Sequence, residues 1–177
     1  MMRAGWMSGP MLFGAALLCA VGAQAQTQTR VTIVALGASN TEGWGVAASE
    51  AYPRKLQALL NARNINATVV NAGIAGDTTG GMLARLERAV PVGTHVVILQ
   101  PGTNDERMGL GAERAGNIEK IRSSLSARDT KLIIIENAML DALPRKELRE
   151  DGVHFTPAGY AILAERILPE VLAALGK

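Results

Sequence analysis

The chain has 177 residues, of which 48% are hydrophobic and only 3% aromatic, and its 18 basic and 16 acidic side chains nearly balance. With no basic run and few aromatics, nucleic-acid binding through phosphate neutralisation is excluded. A lone cysteine, Cys19, excludes an internal disulfide.

The first 25 residues read as a secretory leader. Arg3 supplies a positive start, Met11 to Val21 is apolar, and Ala23-Gln24-Ala25 has the small-x-small form of a cleavage site. The apolar run is shorter than the roughly 20 residues of a membrane-spanning helix. Leu18 is too large for the position before a lipid-modified cysteine, so no stable membrane anchor is expected. The expectation is cleavage near Ala25 and a periplasmic or secreted protein. The remaining chain, 26–177, then has no thiolate for nucleophilic or metal chemistry. A domain of that size buries roughly two-thirds of its unfolded surface.

Four apolar runs predict strands: Val31 to Leu36, Ala67 to Val70, His95 to Gln100 and Lys131 to Glu136. Their continuous apolarity fits strands covered on both faces. Helical periodicity fills the gaps: Ser49 to Arg63 (Leu56, Leu59, Leu60), Thr78 or Thr79 to Val90 (Met82, Leu83, Leu86), and Ala112 to Arg128 (Ile118, Ile121, Leu125). A last helix runs from Thr156 or Pro157 to Leu175, with Thr156-Pro157 as cap and first residue. Strands alternating with helices predict one α/β domain built from right-handed crossovers around a parallel sheet.

Each of the first three strands ends in a Gly-rich polar loop: Gly37-Ala38-Ser39-Asn40, Asn71 to Thr79, and Gly102-Thr103-Asn104-Asp105. Carboxyl strand ends of parallel sheets share one rim, where ligands bind. The segment Asp151-Gly152-Val153-His154, just before the last helix, can return to that rim. His95, the other histidine, heads its strand at the opposite end. A serine becomes a nucleophile when a base takes its proton, and a carboxylate fixes the tautomer of a histidine base. The candidate catalytic set is therefore Ser39, His154 and Asp151. Backbone N–H groups of Ser39 and Gly76 and the amide of Asn104 are candidate oxyanion donors.

These four blocks, in this order, resemble the SGNH (GDSL-type) hydrolase superfamily over nearly the whole chain after the leader. The resemblance implies a flavodoxin-like three-layer α/β/α sandwich and hydrolysis of acyl esters or thioesters through an acyl-serine intermediate. It is closest in kind to small exported bacterial esterases, thioesterases and lysophospholipases. Ala38 and Asn40 depart from the usual Gly-Asp-Ser-Leu. The triad acid is carried onto Asp151, so Ala38 is expected to alter loop support rather than chemistry. The stretch from Met139 to Glu150 has room for only one short helix or turn, so a sheet of four strands is expected, without the family's fifth.

Other residues keep two readings. Trp44 either lines the acyl pocket or packs over its loop, and Met139 and Leu140 either form an acyl subsite or join the core. Asp77 is expected to cap the following helix, Asp105 to brace the third loop, and Asn71 to support the rim or merely a turn. No metal or cofactor is expected. The expected partner is a small acyl ester or thioester. A carbohydrate O-acetylesterase is the alternative enzyme, and an inactive binding module that kept the fold is the alternative of another class.

Overall fold

The computed structural model describes residues 1 and 30–177. The leader features, including Arg3, Cys19 and the Ala25 cleavage site, lie outside the described residues. In chain order the elements are β1 (Val31–Gly37), α1 (Ser39–Glu42), a 3-10 turn (Ala48–Glu50), α2 (Tyr52–Asn61), β2 (Ala67–Gly73), α3 (Thr79–Ala84), α4 (Leu86–Ala89) and β3 (Val96–Gln100). There follow α5 (Asn104–Arg107), α6 (Gly111–Ser126), β4 (Lys131–Ile134), α7 (Asn137–Asp141), a second 3-10 turn (Arg145–Glu147) and α8 (Pro157–Ala174).

The four strands are parallel, in the order β2-β1-β3-β4. Successive strand residues point to opposite faces, and β1 supplies both cores. Ile33 and Ala35 pack with Leu56 and Leu60 of α2 and Leu163 and Ile167 of α8. Val34 and Leu36 pack with Met82, Leu86, Ile121 and Leu125 on the other side. This gives the expected three layers, and each fully buried Leu or Ile contributes roughly 1.5–3 kcal/mol. The chain leaves β1 toward β2 on one side and reaches β3 on the other, so their carboxyl ends form a topological switch point. Gly37 is in register there with Gly73 and Gln100.

Both outer features of the sheet have a local cause. Gln57 of α2 lies along the free edge of β2, its Nε2 donating to Ala67 O (2.9 Å) and its Oε1 accepting from Val69 N (2.7 Å), as a neighbouring backbone would. Beyond β4 the chain goes through α7 straight to α8, leaving no length for a fifth strand. The returning segment is pinned by an antiparallel bridge, Leu148 to Phe155, and by Arg149 N–H donating to His154 O at 2.8 Å.

The elements differ from the periodicity in several places, α6 among them, which ends at Ser126 rather than Arg128. β2 continues through Asn71-Ala72-Gly73, because these pair in register with Ala35 to Gly37 although they are polar or small. The helix expected from Ser49 begins only at Tyr52, since Ala51 is extended (ψ 145°) ahead of Pro53. The helix expected to reach Val90 breaks at Arg85 (φ −103°, ψ 7°) into α3 and α4. β4 ends at Ile134 rather than Glu136. Thr156 caps α8 as expected, its hydroxyl accepting from Gly159 N at 3.1 Å.

Candidate active site

Ser39 opens α1, with only Ala38 between it and the end of β1. The tightness of this junction explains Gly37. A Cβ there would sit 2.2 Å from Thr41 Oγ1 and 2.9 Å from Gln100 O. Gly43 ends the helix with a left-handed φ of 92°. Ala38 is buried in the apolar cluster beneath the sheet with Val34 and Leu36, which suits alanine better than the usual aspartate.

His154 meets Ser39 across 115 positions of sequence, Nε2 to Oγ at 2.8 Å. Its Nδ1 lies 2.7 Å from Asp151 Oδ2. Asp151 Oδ1 accepts from the backbone N–H groups of His154 and Val153, both at 2.9 Å. Gly152, at φ 68°, turns the chain between them. The His154 backbone donor, then its ring, then the Val153 donor hold the Asp151 carboxyl far below the usual carboxylate range. An ionised Asp151 only accepts, so Nδ1 carries the ring proton and Nε2 presents its lone pair to the Ser39 hydroxyl.

Ser39, Gly76, Asn104 and His154 line one cleft of roughly 1270 Å³. Among the described residues no protein acceptor takes the N–H of Ser39 or Gly76. Gly76 is left-handed (φ 78°), a conformation that glycine adopts without steric cost. One Asn104 Nδ2 hydrogen goes to Asp77 O at 2.8 Å, which fixes the amide and leaves its second hydrogen for the cleft.

The loops are braced from below. Asp105, almost wholly buried, accepts from Thr79 N (3.0 Å) and Thr79 Oγ1 (2.5 Å), tying the third loop to the start of α3. Asn71 Nδ2 donates to Glu42 O at 3.2 Å while Oδ1 accepts from Gly73 N at 2.9 Å, joining the first loop to the second. Asp77 is not the helix cap. The helix starts one residue later, where Thr78 Oγ1 accepts from Gly81 N, and Asp77 instead pairs with Arg85 Nε at 2.7 Å. Arg85 Nη2 also donates to Gly37 O at 3.1 Å, linking the second loop to the end of β1.

Trp44 stands at the cleft, half exposed, its ring centroid 6.2 Å from that of His154. Leu140 lines the cleft, but Met139 does not. Both pack against the core around α8, and of the two only Leu140 also reaches the cleft. His95 lies at the far, amino end of the sheet, where its Nδ1 accepts from Thr32 N at 3.2 Å. No three His, Cys, Asp or Glu side chains converge as a metal site among the described residues.

Sequence reasoning missed Asn40. Its buried side chain receives a hydrogen bond from Tyr160 OH at Oδ1 (3.0 Å) and donates from Nδ2 to Val153 O (3.2 Å). Asn40 follows Ser39 and Val153 precedes His154, so this one amide fastens the two candidate reacting groups together. Tyr160 has no exposed surface, and burial pushes its hydroxyl up to about 12. The only signal was a polar residue where the family usually has leucine.

Among proteins of known function, an arylesterase of Vibrio mimicus is 27% identical over 114 residues, 63% of this chain. The match spans 57% of that relative's length. The esterase EstA from Pseudoalteromonas sp. superposes with a TM-score of 0.69 at 19% identity, covering 82% of this chain and 99% of its own. At that identity the likeness shows the fold alone. AlinE4, an SGNH-hydrolase family esterase, has a TM-score of 0.62 at 26% identity over 84% of this chain and 98% of its own. Residues 35–145, which hold the first three loops, the end of β1 and all of β2, β3 and β4, match the pattern of the GDSL-like Lipase/Acylhydrolase family. By that match, over more than half its length, the chain belongs to the GDSL-like lipase/acylhydrolase family.

Proposed function

We propose that the protein is an exported serine esterase that hydrolyses acyl esters or thioesters through an acyl-serine intermediate. The observation that carries this reading is the 2.8 Å contact of Ser39 Oγ with His154 Nε2, backed by Asp151 at 2.7 Å. His154 Nε2 takes the hydroxyl proton as Ser39 Oγ attacks the acyl carbonyl carbon. Negative charge then gathers on the carbonyl oxygen beside Ser39 N–H, Gly76 N–H and the free Asn104 hydrogen. His154 returns the proton to the departing alcohol or thiol. Water, deprotonated by the same imidazole, attacks the acyl-serine and releases the acid. Asp151 stays ionised throughout and stabilises the imidazolium.

Ser39→Ala is expected to abolish turnover of p-nitrophenyl butyrate and covalent labelling by a fluorophosphonate. Undiminished turnover in that variant would refute the assignment. A second reading keeps the same groups and makes the substrate an O-acetylated glycan. Asn137 and Asp141 favour it, because they give the outer cleft a polar, hydrogen-bonding wall. Release of acetate from an acetylated xylan, compared with release of acid from hexanoyl and palmitoyl esters, separates the two.

A further inference from the structure

We infer that the cleft takes a substrate carrying an anionic group, a carboxylate or a phosphate, away from the scissile bond, and that Arg107 and Arg145 recognise it. This names a substrate class for the esterase reading and rests on it. Both arginines line the cleft that holds Ser39 and His154, and both are exposed to solvent. Among the described residues neither guanidinium has a carboxylate partner or a protein hydrogen bond.

The acids beside them in sequence are engaged elsewhere. Glu106 is taken by Arg114 at 3.5 Å. Glu147 receives the Thr156 hydroxyl and faces Lys146 at 4.0 Å. Away from the cleft the guanidiniums of Arg85 and Arg128 are spent on Asp77 and Glu87. The cleft lining therefore offers two unengaged guanidiniums against a single carboxylate, Asp141, which pairs with neither.

The positions also suit the reaction. Arg107 lies three residues after Asn104 on α5, hence on the same face as the candidate oxyanion amide. Arg145 follows α7 on the wall left where the family's further strand would be. A guanidinium binds carboxylate or phosphate through two parallel hydrogen bonds, which gives orientation as well as attraction. Such remote binding positions the ester carbonyl over Ser39.

The test compares p-nitrophenyl hydrogen adipate with p-nitrophenyl hexanoate, and p-carboxyphenyl acetate with phenyl acetate, after subtraction of enzyme-free hydrolysis. The first pair carries its charge on the acyl side and the second on the alcohol side. At low salt the wild type is expected to favour the anionic member of one pair in kcat/KM. Replacing both arginines by alanine should lower that anionic-to-neutral ratio roughly tenfold. Arg145→Lys should keep part of the preference, and raising NaCl to about 0.5 M should shrink it. Because a ratio is read, a general loss of activity or folding cancels. Free adipate should also inhibit hexanoate hydrolysis competitively in wild type and not in the double variant. Ratios that stay within twofold of wild type for both pairs in the double variant overturn the inference. If Ser39→Ala retains turnover of all four esters, the esterase reading itself fails, whatever the arginines do.

Discussion

Removing the Asn40 amide should uncouple the two reacting groups while leaving both in place. Asn40→Ala deletes the acceptor of the Tyr160 hydroxyl and the donor to Val153 O. Two lost hydrogen bonds at about 0.5–1.5 kcal/mol each give about 1–3 kcal/mol. For a domain of this size that is a fall of roughly 2–10 °C in Tm. A shift of about 1 Å between Ser39 and His154 can cost on the order of 100-fold in rate, so kcat for p-nitrophenyl butyrate should drop roughly 10- to 100-fold with KM little changed. Tyr160→Phe should lose less, since Val153 O still holds the amide. In a double-mutant cycle by denaturant unfolding the two sites should couple by at least about 0.5 kcal/mol. A variant with normal kcat and a Tm within a degree of wild type would show that Asn40 fastens nothing.

Asn104→Ala should lower kcat on the order of 10²- to 10³-fold, measured under saturating substrate, as loss of one oxyanion donor does elsewhere. The depressed Asp151 carboxyl gives a pH signature. Its stabilising contribution is fully present above the ordinary unfolded value near 3.9 and is lost as pH falls toward the folded value. The gap between the guanidinium midpoints of wild type and Asp151→Asn should therefore be wider at pH 7 than at pH 3, and an equal gap at both would count against it. Gly37→Ala should destabilise by about 1–3 kcal/mol in chemical denaturation, because its methyl would meet Thr41 Oγ1 at 2.2 Å and the Gln100 carbonyl at 2.9 Å. Gly76→Ala meets nothing within 4 Å, so its cost is the left-handed backbone alone, about 1–2 kcal/mol.

The layers and the four strands were legible because the apolar runs of β1, β3 and β4 are continuous, as strands buried on two faces require. The end of β2 was not, because Asn71 and Gly73 belong to the sheet by backbone pairing, which side-chain polarity does not record. Ser39, Asp151 and His154 could be nominated because chemistry restricts which residue types serve. What brings them together could not. Asn40 and Tyr160 lie 120 positions apart, and nothing local in either marks it as the other's partner. Asp77 misled for a related reason. An acid before a helix usually caps it, and only the fold brings Arg85 close enough to claim the carboxylate. Met139 and Leu140 were a pair in sequence and both pack on the core around α8, but one step around a short helix brings only Leu140 to the cleft as well.

The placement of Ser39 at the first strand-to-helix junction and of His154 just ahead of the last helix has a bearing on biogenesis. α8 shares the interior of β1 and α2, so the segment that brings the imidazole home is seated only when the C-terminal part of the chain has packed. On the proposed mechanism, a chain that lacks this packing holds the hydroxyl without its base and is inert. On that mechanism hydrolytic competence is a late event, tied to completion of the entire tertiary structure, and its recovery during refolding reports the docking of the final helix.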